Sequence, residues 1–275
     1  MIKQNLHTHS TYCDGKNSLE DMVKKAIEKN FTVLGFSGHS YIPEDEDCMS
    51  IEGTKEYKRE VLRLKEKYKD SITIYLGLEQ DIRLRDPHPE DYDYMIGSMH
   101  FLSRNDTYIA VDYDESVIRN MLETWYDNNF LKLAAEYYEQ MKVMATWDEV
   151  DIIGHVDLLT KYNEEQIFIS FDNKEYVKLA CDTIDILIHA GKIFEVNTGA
   201  IGRGYRKTPY PYKNLLQHIH DKGGKILLNS DCHNKDYLDI GYEQSMRLIK
   251  DCGFTSMMVL TDEGFKEVDI NLFGI

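Results

Sequence analysis

Two histidines spaced two residues apart, His7 and His9, stand near the start of the chain. Side chains in an extended strand repeat every two residues, so both imidazoles would point to the same side. This arrangement is typical of a strand end that presents two nitrogen ligands to one metal ion. His218 and His220 have the same spacing but lie within a helical pattern. Their rings would point roughly 200° apart around a helix, so we interpret them as surface or core histidines.

Further candidate ligands follow the other predicted strands. Six of the ten histidines fall at such positions, whereas His88, His189, His218 and His220 fall in loops or helical patterns. The histidines at these positions are His7, His9, His39, His100, His155 and His233, and the strand ends also carry carboxylates, among them Asp14, Glu79 and Asp231. Imidazole and carboxylate ligands together suit Zn, Mn or Fe and do not select among them. Glu79 is the best candidate for a carboxylate that bridges two ions, because it ends a strand between other ligand groups.

The elements that must position these residues alternate along the whole chain. The predicted strands are 2–6, 32–37, 72–79, 93–99, 151–154, 193–197 and 225–230. The predicted helices lie near 18–29, 52–69, 115–145, 172–190, 212–222 and 240–252. Alternation implies parallel strands with right-handed crossovers, and a closed barrel is an economical way to bury seven of them. Active sites of such barrels lie at the C-terminal ends of the strands, where the candidate ligands fall.

Local signals place some of the boundaries. Ser18 with Asp21 resembles a capping box at the start of the first helix, and Asp172 followed by Glu175 resembles the start of the helix near 172–190. The segment 256–271 is predicted to add short strands. Because no Gly/Ser-rich linker or repeat divides the sequence, we predict one domain over 1–275.

Composition narrows the classes of function. The formal net charge of −16 argues against nucleic acid as the main partner, since such binding needs a basic face. A small phosphate ester stays compatible, because bound metal ions can reverse the local field. No segment approaches the roughly 20 apolar residues of a membrane span, and the first residues lack the apolar core of a signal peptide. Five scattered cysteines without a Cys-x-x-Cys motif favour reduced thiols in a cytoplasm.

Two of the cysteines, Cys13 and Cys232, flank candidate ligands, so a zinc–thiolate site is an alternative. In a strand each would point away from its ligand neighbour, which makes coordination through these thiols the weaker interpretation.

The ligand-bearing blocks resemble those of the PHP (polymerase and histidinol phosphatase) family over essentially the whole chain. These blocks are His7-Thr8-His9-Ser10 with Asp14-Gly15, Gly38-His39, Gly77-Leu78-Glu79, Gly97-Ser98-Met99-His100, Gly154-His155-Val156-Asp157 and Ser230-Asp231-Cys232-His233. Within the family the chain most resembles the monofunctional histidinol-phosphatases, through its length and through the blocks at 97–101 and 197–206.

The resemblance implies an α/β fold, a distorted (β/α)7 barrel of the PHP type, whose C-terminal strand ends hold two to three divalent ions (Zn, Mn or Fe). It assigns the first ion to His7, His9, Glu79 and Asp231, the second to Glu79, His100 and His155, and the third to Asp14, His39 and His233. Many family members have a histidine near the position of Asp14. The oxygen ligand here would weaken a preference for zinc and favour manganese or iron.

A centre of this kind is suited to phosphomonoester hydrolysis. A hydroxide that bridges two ions forms near neutral pH and can attack phosphorus in line, while the ions neutralise charge on the phosphoryl oxygens. Asp231 or His233 is the candidate proton donor to the departing alkoxide. Arg203 and Arg206 follow the sixth predicted strand and Lys161 follows the fifth, so we predict that these three cations bind the phosphate.

The predicted substrate is L-histidinol phosphate, an intermediate of histidine biosynthesis. Its ammonium and imidazole groups would face an acidic wall, for which the candidates are Glu44, Asp45, Glu46, Asp47 and Asp81. The alternatives are a PHP phosphatase for another small ester or for phosphotyrosine, a PHP nuclease, a hydrolase of the amidohydrolase type and a non-catalytic metal-binding module. The charge of −16 counts against the nuclease, and an amide-selective site would not need the Arg203 and Arg206 loop.

Overall fold

Strands and helices alternate along the chain in a computed structural model that describes residues 1–43, 45–104 and 107–274. In these residues the strands are β1 (Gln4–Asn5), β2 (Val33–Phe36), β3 (Thr73–Asp81), β4 (Tyr94–Ser98), β5 (Phe101–Arg104), β6 (Thr107–Ala110), β7 (Ile152–Ile153), β8 (Ile193–Asn197), β9 (Lys225–Asn229), β10 (Ser256–Thr261) and β11 (Gly264–Asp269). The α-helices are α1 (Leu19–Glu28), α2 (Ile51–Tyr68), α3 (Glu115–Trp125), α4 (Phe130–Met141), α5 (Lys174–His189), α6 (Gly199–Gly202), α7 (Lys213–Asp221) and α8 (Tyr242–Asp251). Short 3-10 helices cover Pro89–Asp91, Lys142–Thr146, Leu158–Thr160, Lys235–Tyr237 and Ile270–Leu272.

Seven strands form one parallel sheet in the order β1-β2-β3-β4-β7-β8-β9. The two edges of this sheet meet just beyond β1 and β9. There the amide of Cys232 donates to the carbonyl of His7 over 3.1 Å, and the amide of His9 donates to the carbonyl of Cys232 over 2.9 Å. The sheet therefore closes into a nearly complete barrel, and the predicted seven-stranded α/β barrel is confirmed.

A tyrosine fills the interior of the barrel. Tyr94 on β4 is 2% exposed, and its hydroxyl lies within hydrogen-bond distance of the carbonyls of Leu6 and Phe36. A Cβ atom added to Gly77 would lie 2.3 Å from the Tyr94 ring, and one added to Gly35 would lie 2.3 Å from its hydroxyl oxygen. The adjacent strand β3 and the next strand β2 thus carry glycine where this ring needs room.

The β10–β11 hairpin covers the barrel end opposite the candidate ligands. Met258 and Leu260 on β10 share one apolar cluster with Val33, Ile152 and Ile193, which are the first residues of their strands. The predicted short strands in 256–271 are therefore confirmed. In the part of the chain that the structure describes, none of the helices is long and apolar enough to span a membrane.

One predicted helix is wrong in extent. The segment predicted as a single helix near 115–145 consists of α3, α4 and a 3-10 turn. Asp127 and Asn128 interrupt it with φ angles of 52° and 57°, which a right-handed helix cannot continue. Asn129 then starts α4, because its side-chain oxygen accepts the amide of Leu131 over 3.0 Å.

Of the two predicted helix starts, the one at α1 is confirmed and the one at α5 is displaced by one residue. The Ser18 hydroxyl accepts the amide of Asp21 over 3.2 Å, so the predicted start of α1 is confirmed. At α5 the capping residue is Asn173 rather than Asp172. Its side-chain oxygen accepts the amides of Glu175 and Tyr176, each over 3.1 Å. The amide oxygen of Asn173 sits one residue later, where it reaches both unpaired donors of the first turn.

An antiparallel hairpin between β4 and α3 was not predicted. β5 and β6 pair from Phe101 with Ala110 to Arg104 with Thr107, directly after His100. The hairpin projects from the same end of the barrel as the candidate ligands and supplies part of the cavity wall there.

Candidate metal centre and active-site cavity

The predicted metal ligands converge at the C-terminal end of the barrel. Each one ends a barrel strand or follows one within the next loop, and parallel strands place these ends at one edge. The residues that the structure brings together are His7, His9, Asp14, His39, Glu79, His100, His155, Asp231 and His233.

Glu79 lies at the centre of the cluster and presents its two oxygens to two groups of imidazoles. Oε2 lies 3.1 Å from His7 Nε2 and 3.0 Å from His39 Nδ1. Oε1 lies 3.4 Å from His100 Nε2 and 3.1 Å from His155 Nε2. A carboxylate that bridges two ions needs one oxygen on each side, and Glu79 has that arrangement.

Asp231 completes the group on the Oε2 side. Its Oδ1 atom lies 3.6 Å from His7 Nε2 and 3.3 Å from His9 Nε2. The backbone of Asp231 has a φ of 48°, a left-handed conformation that aspartate tolerates better than most residues. A Cβ atom on Gly199 would lie 2.6 Å from Asp231 Oδ2, so glycine at 199 leaves room for this carboxylate.

A third group surrounds Asp14. His233 Nε2 lies 2.8 Å from Asp14 Oδ2, and His39 Nε2 lies 3.7 Å from Asp14 Oδ1. The His233 ring stacks on the His9 ring with centroids 3.9 Å apart, which joins this group to the first. His9, Asp14, His39 and His233 offer ligand atoms close enough together to surround one cation.

Buried atoms without hydrogen-bond partners support a metal site. His7 Nε2, His9 Nε2 and Glu79 Oε2 are buried, and they approach one another without forming hydrogen bonds. A buried polar atom left unpaired costs free energy, so three of them facing a common space need a compensating group. A divalent cation, to which each atom would donate a lone pair, fits this donor set.

Three of these groups, Glu79, Asp231 and His9, are held in charge states that suit metal binding. Burial by itself would raise the pKa of Glu79, but the surrounding histidines hold it well below its usual value. Burial would likewise raise the pKa of Asp231, and the Arg203 guanidinium holds it well below that of an ordinary aspartate. Burial and two neighbouring imidazoles lower the pKa of His9 to about 3, so His9 is neutral at pH 7. Carboxylates and neutral imidazoles are the forms that coordinate metals.

Glu195 on β8 is a functional candidate that sequence reasoning missed. Its Oε1 lies 2.7 Å from His7 Nδ1 and accepts the Asn229 side-chain amide over 2.8 Å. Its Oε2 accepts the backbone amide of His155 over 3.1 Å and the Asn197 side-chain amide over 2.7 Å. Glu195 therefore fixes the His7 ring with Nε2 toward the other ligands, as carboxylates behind metal-bound histidines do. The feature of the sequence that could have indicated its role is a carboxylate within a strand that is predicted to be buried.

Asp81, a predicted member of the acidic wall, lines the cavity but is held against His100. It is 2% exposed, and its Oδ2 atom accepts the backbone amide of His100 over 2.8 Å and lies 3.2 Å from His100 Nδ1. Asp81 thus orients His100 as Glu195 orients His7. Of the predicted acidic loop, Asp45, Glu46 and Asp47 line the cavity, and Glu44 lies outside the described residues.

The cluster forms the floor of a cavity of about 1260 Å³. Arg203 lines this cavity, and its guanidinium donates to Asp231 Oδ2 over 2.9 Å and lies 2.9 Å from His233 Nδ1. Lys161 also lines it, and its ammonium donates to the backbone carbonyl of Asp112 over 2.6 Å and to the carboxylate over 3.2 Å. Two of the three predicted phosphate-binding cations therefore face the same space as the metal ligands.

The third predicted phosphate ligand, Arg206, is not in the cavity. Its side chain is fully buried beneath the loop, where its guanidinium donates to the Thr160 hydroxyl over 3.1 Å and to the carbonyl of Pro209 over 3.2 Å. It packs between Tyr210 and Tyr212, with ring centroids at 4.3 and 4.0 Å. The side chain of a loop arginine can be buried when aromatic faces and hydrogen-bond acceptors are available. The local sequence does not predict this burial, because the partners come from the tertiary structure.

The cysteines next to the ligands are protonated thiols. Burial raises the pKa of Cys13 to about 12 and that of Cys232 to about 12. The Cys13 sulfur lies 3.5 Å from His9 Nδ1, on the side of the ring opposite Glu79, and the Cys232 thiol donates to the carbonyl of Asn234. Neither belongs to the groups of potential ligand atoms found among the described residues.

Known proteins resemble this chain in both sequence and fold. The "Probable histidinol-phosphatase" of Schizosaccharomyces pombe is 28% identical over 275 residues, which cover 92% of this chain and 88% of that protein. A solved structure from Listeria monocytogenes has a TM-score of 0.80 at 19% identity, covering 88% of this chain and 99% of the other. A histidinol phosphate phosphatase from Lactococcus lactis, solved with Zn, L-histidinol and phosphate, has a TM-score of 0.72 at 22% identity and covers 96% and 98%.

The family comparison matches residues 5–199 to the PHP domain. This match spans β1 to β8 and includes seven of the nine converging ligands, His7, His9, Asp14, His39, Glu79, His100 and His155. With the fold and the ligand cluster in agreement, the chain belongs to the PHP family.

Proposed function

We propose that this chain is a metal-dependent phosphomonoesterase that hydrolyses L-histidinol phosphate to L-histidinol and phosphate, a step of histidine biosynthesis. The observation that carries the proposal is the position of Glu79 on the cavity floor, with one oxygen toward each of two imidazole groups and Arg203 beside them. The names of the relatives and the zinc, histidinol and phosphate bound in the Lactococcus lactis structure support the choice of reaction.

The donor set leads us to propose two or three divalent ions, Zn, Mn or Fe. The first would be held by His7, His9, Glu79 and Asp231, the second by Glu79, His100 and His155, and the third by Asp14, His39 and His233. When bound, such ions supply an activated water nucleophile at neutral pH and neutralise charge on the phosphoryl oxygens. The remaining chemistry falls to the side chains around them.

We assign phosphate binding to Arg203 and Lys161. Both line the cavity with the ligand cluster, and a guanidinium can place two N–H donors on two phosphoryl oxygens. Asp231 and His233 are the catalytic candidates for handling the proton that the departing alkoxide needs. They lie together at the end of β9, with His233 Nδ1 3.5 Å from Asp231 Oδ1.

The cationic end of the substrate would face the acidic side of the cavity. Asp45, Glu46 and Asp47 line the cavity on the loop after β2, and Asp112 lines it beside Lys161. Histidinol phosphate carries an ammonium and an imidazole at the end remote from its phosphate, so its charges match a metal-rich floor and an acidic wall. A phosphodiester chain, anionic throughout, would be repelled by that wall.

We further propose that residues 1–275 act as one unit in the cytoplasm. The family match ends at residue 199, yet Asp231 and His233, from beyond that point, meet His7 and Asp14 at the site. The five cysteines are free thiols, which fits a reducing compartment.

Steady-state kinetics on one metal-loaded preparation tests the substrate. We expect kcat/KM for histidinol phosphate to be at least about tenfold above that for glycerol phosphate, phosphotyrosine and single-stranded DNA, the discrimination expected from one well-placed charged contact. The preparation is loaded in turn with Mn, Zn and Fe. A Glu79→Gln variant purified in parallel measures any contaminating phosphatase. Equal or faster turnover of phosphotyrosine or DNA would reject the proposed substrate and favour another branch of the family.

A further inference from the structure

Arg206 is a buried cation that touches two different loops of the catalytic end. It is 3% exposed, and its backbone belongs to the loop that follows β8 and carries Arg203. Its guanidinium crosses to the loop after β7 and donates to the hydroxyl of Thr160 over 3.1 Å. The same guanidinium holds its own loop by donating to the carbonyl of Pro209 over 3.2 Å and to the Thr208 hydroxyl over 3.3 Å.

Two aromatic faces and two acids surround this guanidinium. Tyr210 and Tyr212 place their rings 4.3 and 4.0 Å from it. Asp157 Oδ2 lies 3.8 Å from Nη1, and Glu164 Oε2 lies 3.7 Å from Nε. Stacking on aromatic faces and a planar fork of donors are properties of arginine that lysine lacks. The surroundings of Arg206 are therefore specific for a guanidinium and not only for a positive charge.

Both loops that Arg206 joins carry a cation of the cavity. Thr160 directly precedes Lys161, and Arg203 lies three residues before Arg206. The Lys161 ammonium also lies 4.9 Å from the ring of Tyr205, the residue before Arg206. A change in the contact between Arg206 and Thr160 would therefore shift Lys161 relative to Arg203.

We propose that Arg206 is a positioning residue that sets the spacing of Lys161 and Arg203 and so determines how tightly the cavity binds a phosphoryl group. This inference rests on the proposed function only in the assignment of the two cations to phosphate. Arg206 itself does not touch the substrate. Its effect reaches phosphate through the two loops, because catalytic and binding groups lose efficiency when displaced by as little as about 1 Å.

Two substitutions test the inference. Both keep a positive charge next to the buried carboxylate of Asp157, which an alanine at position 206 would remove. Arg206→Lys keeps the positive charge but loses the fork and the stacking. Thr160→Val removes only the hydroxyl that crosses between the loops and keeps a similar shape. Lys192→Met is the matched control. Lys192 is also a buried cation on backbone carbonyls, those of Trp147 and Val150, but it lies at the opposite end of β8.

Calorimetry with inorganic phosphate on the metal-loaded proteins, combined with steady-state kinetics, gives the readout. We expect Arg206→Lys to raise Kd for phosphate and KM together by about tenfold, the loss of roughly one charge-assisted contact, with smaller changes in kcat and metal content. Thr160→Val should shift the same two constants in the same direction. Lys192→Met should lower Tm and leave both constants unchanged.

Other outcomes would overturn the inference. Unchanged phosphate affinity in both Arg206→Lys and Thr160→Val would mean that Arg206 only stabilises the fold. Equal losses in all three variants would mean that affinity follows global stability. Phosphate binding by the parent chain without turnover of histidinol phosphate would reject the proposed substrate and leave the role of Arg206 intact. A parent chain that binds no phosphate would reject both.

Discussion

The chain contains two His-x-His pairs, and the structure gives them opposite environments. His7 and His9 are fully buried just beyond β1, and both Nε2 atoms approach the same carboxylate. The side chains of His218 and His220 on α7 are 21% and 37% exposed. A strand end turns alternate side chains to one side, whereas a helix separates them by about 200°. The same three-residue motif thus converges in one element and diverges in the other.

The two pairs also share features that therefore cannot mark a metal site. Glu195 lies 2.7 Å from His7, and Asp185 lies 2.7 Å from His218. A cation stands beside each pair, because Lys222 lies 3.4 Å from Asp185 as Arg203 lies beside Asp231. What differs is the second ring nitrogen. In His7 it faces further buried ligand atoms. Convergence and burial, rather than the motif or its carboxylate, indicate metal binding.

Removing one ring from each pair should give the largest contrast. We expect His7→Ala to lose metal affinity by more than the roughly 10- to 100-fold that follows loss of a residue behind a ligand, and to lose hydrolysis with it. His100→Ala, on the other side of Glu79, should do the same. His218→Ala and His220→Ala should keep both metal and activity. Elemental analysis and kinetics of the four variants measure this, and metal loss in His218→Ala with retention in His7→Ala would contradict the assignment.

The cations beside the two pairs give the next contrast. Arg203→Ala should lower kcat/KM by about 10- to 150-fold, which corresponds to loss of a charge-assisted contact of about 1.5–3 kcal/mol. Metal content should stay unchanged. Lys222→Ala, next to the helical pair, should leave kcat/KM at the parent value. If Arg203→Ala retained parent kinetics, phosphate would be held without this guanidinium.

The carboxylates behind the two pairs allow a closer comparison. Glu195→Gln keeps the shape of the side chain but weakens the hold on His7 Nδ1–H, so metal affinity should fall by about 10- to 100-fold. Asp185→Asn makes the equivalent change behind His218 and should leave metal affinity alone. Competition with a chelator across a concentration series gives both values. Equal affinities in the parent and in Glu195→Gln would show that the ring of His7 is held by packing alone.

Much of the site could be predicted because parallel strands impose a simple geometry. Once the alternating pattern fixed the strands, their C-terminal ends had to meet, and the candidate ligands met there. Period-two geometry also accounts for the position of Asp81. Glu79 and Asp81 are two residues apart on β3, so both point to the same side, and Asp81 indeed reaches His100.

Other parts depend on contacts between distant segments. In the sequence, Glu195 is a single acid within β8. Its role becomes clear only because the fold places it against His7, which is 188 residues away in sequence. The sequence predicts Arg206 to be a phosphate-binding loop cation, whereas in the structure two tyrosines and Thr160 enclose its guanidinium. The β5–β6 hairpin follows His100 within a segment of mixed polarity, and its strands expose much of their surface. Local secondary-structure propensity therefore predicts little where contacts with distant segments determine the conformation.

The exposed pair formed by His220 and Asp221 should give the smallest effect. Hydrogen bonds from His220 and Gln217 lower the pKa of Asp221 below its value in the unfolded chain. The folded state then binds fewer protons than the unfolded state while this carboxyl titrates. Its stabilisation is therefore present above about pH 4 and is lost as the pH falls through the folded pKa.

Asp221→Asn should accordingly lower Tm slightly at pH 7, and the difference from the parent should shrink as the pH falls below about 4. Thermal unfolding of the metal-free proteins over this range measures the difference. The pair at His7 should respond to acid in another way, because protons compete with metal for imidazole nitrogens and acid releases the ions. Loss of bound metal from Asp221→Asn at pH 7 would mean that the two His-x-His pairs are coupled. It would contradict the inference that the His218–His220 pair has no part in metal binding.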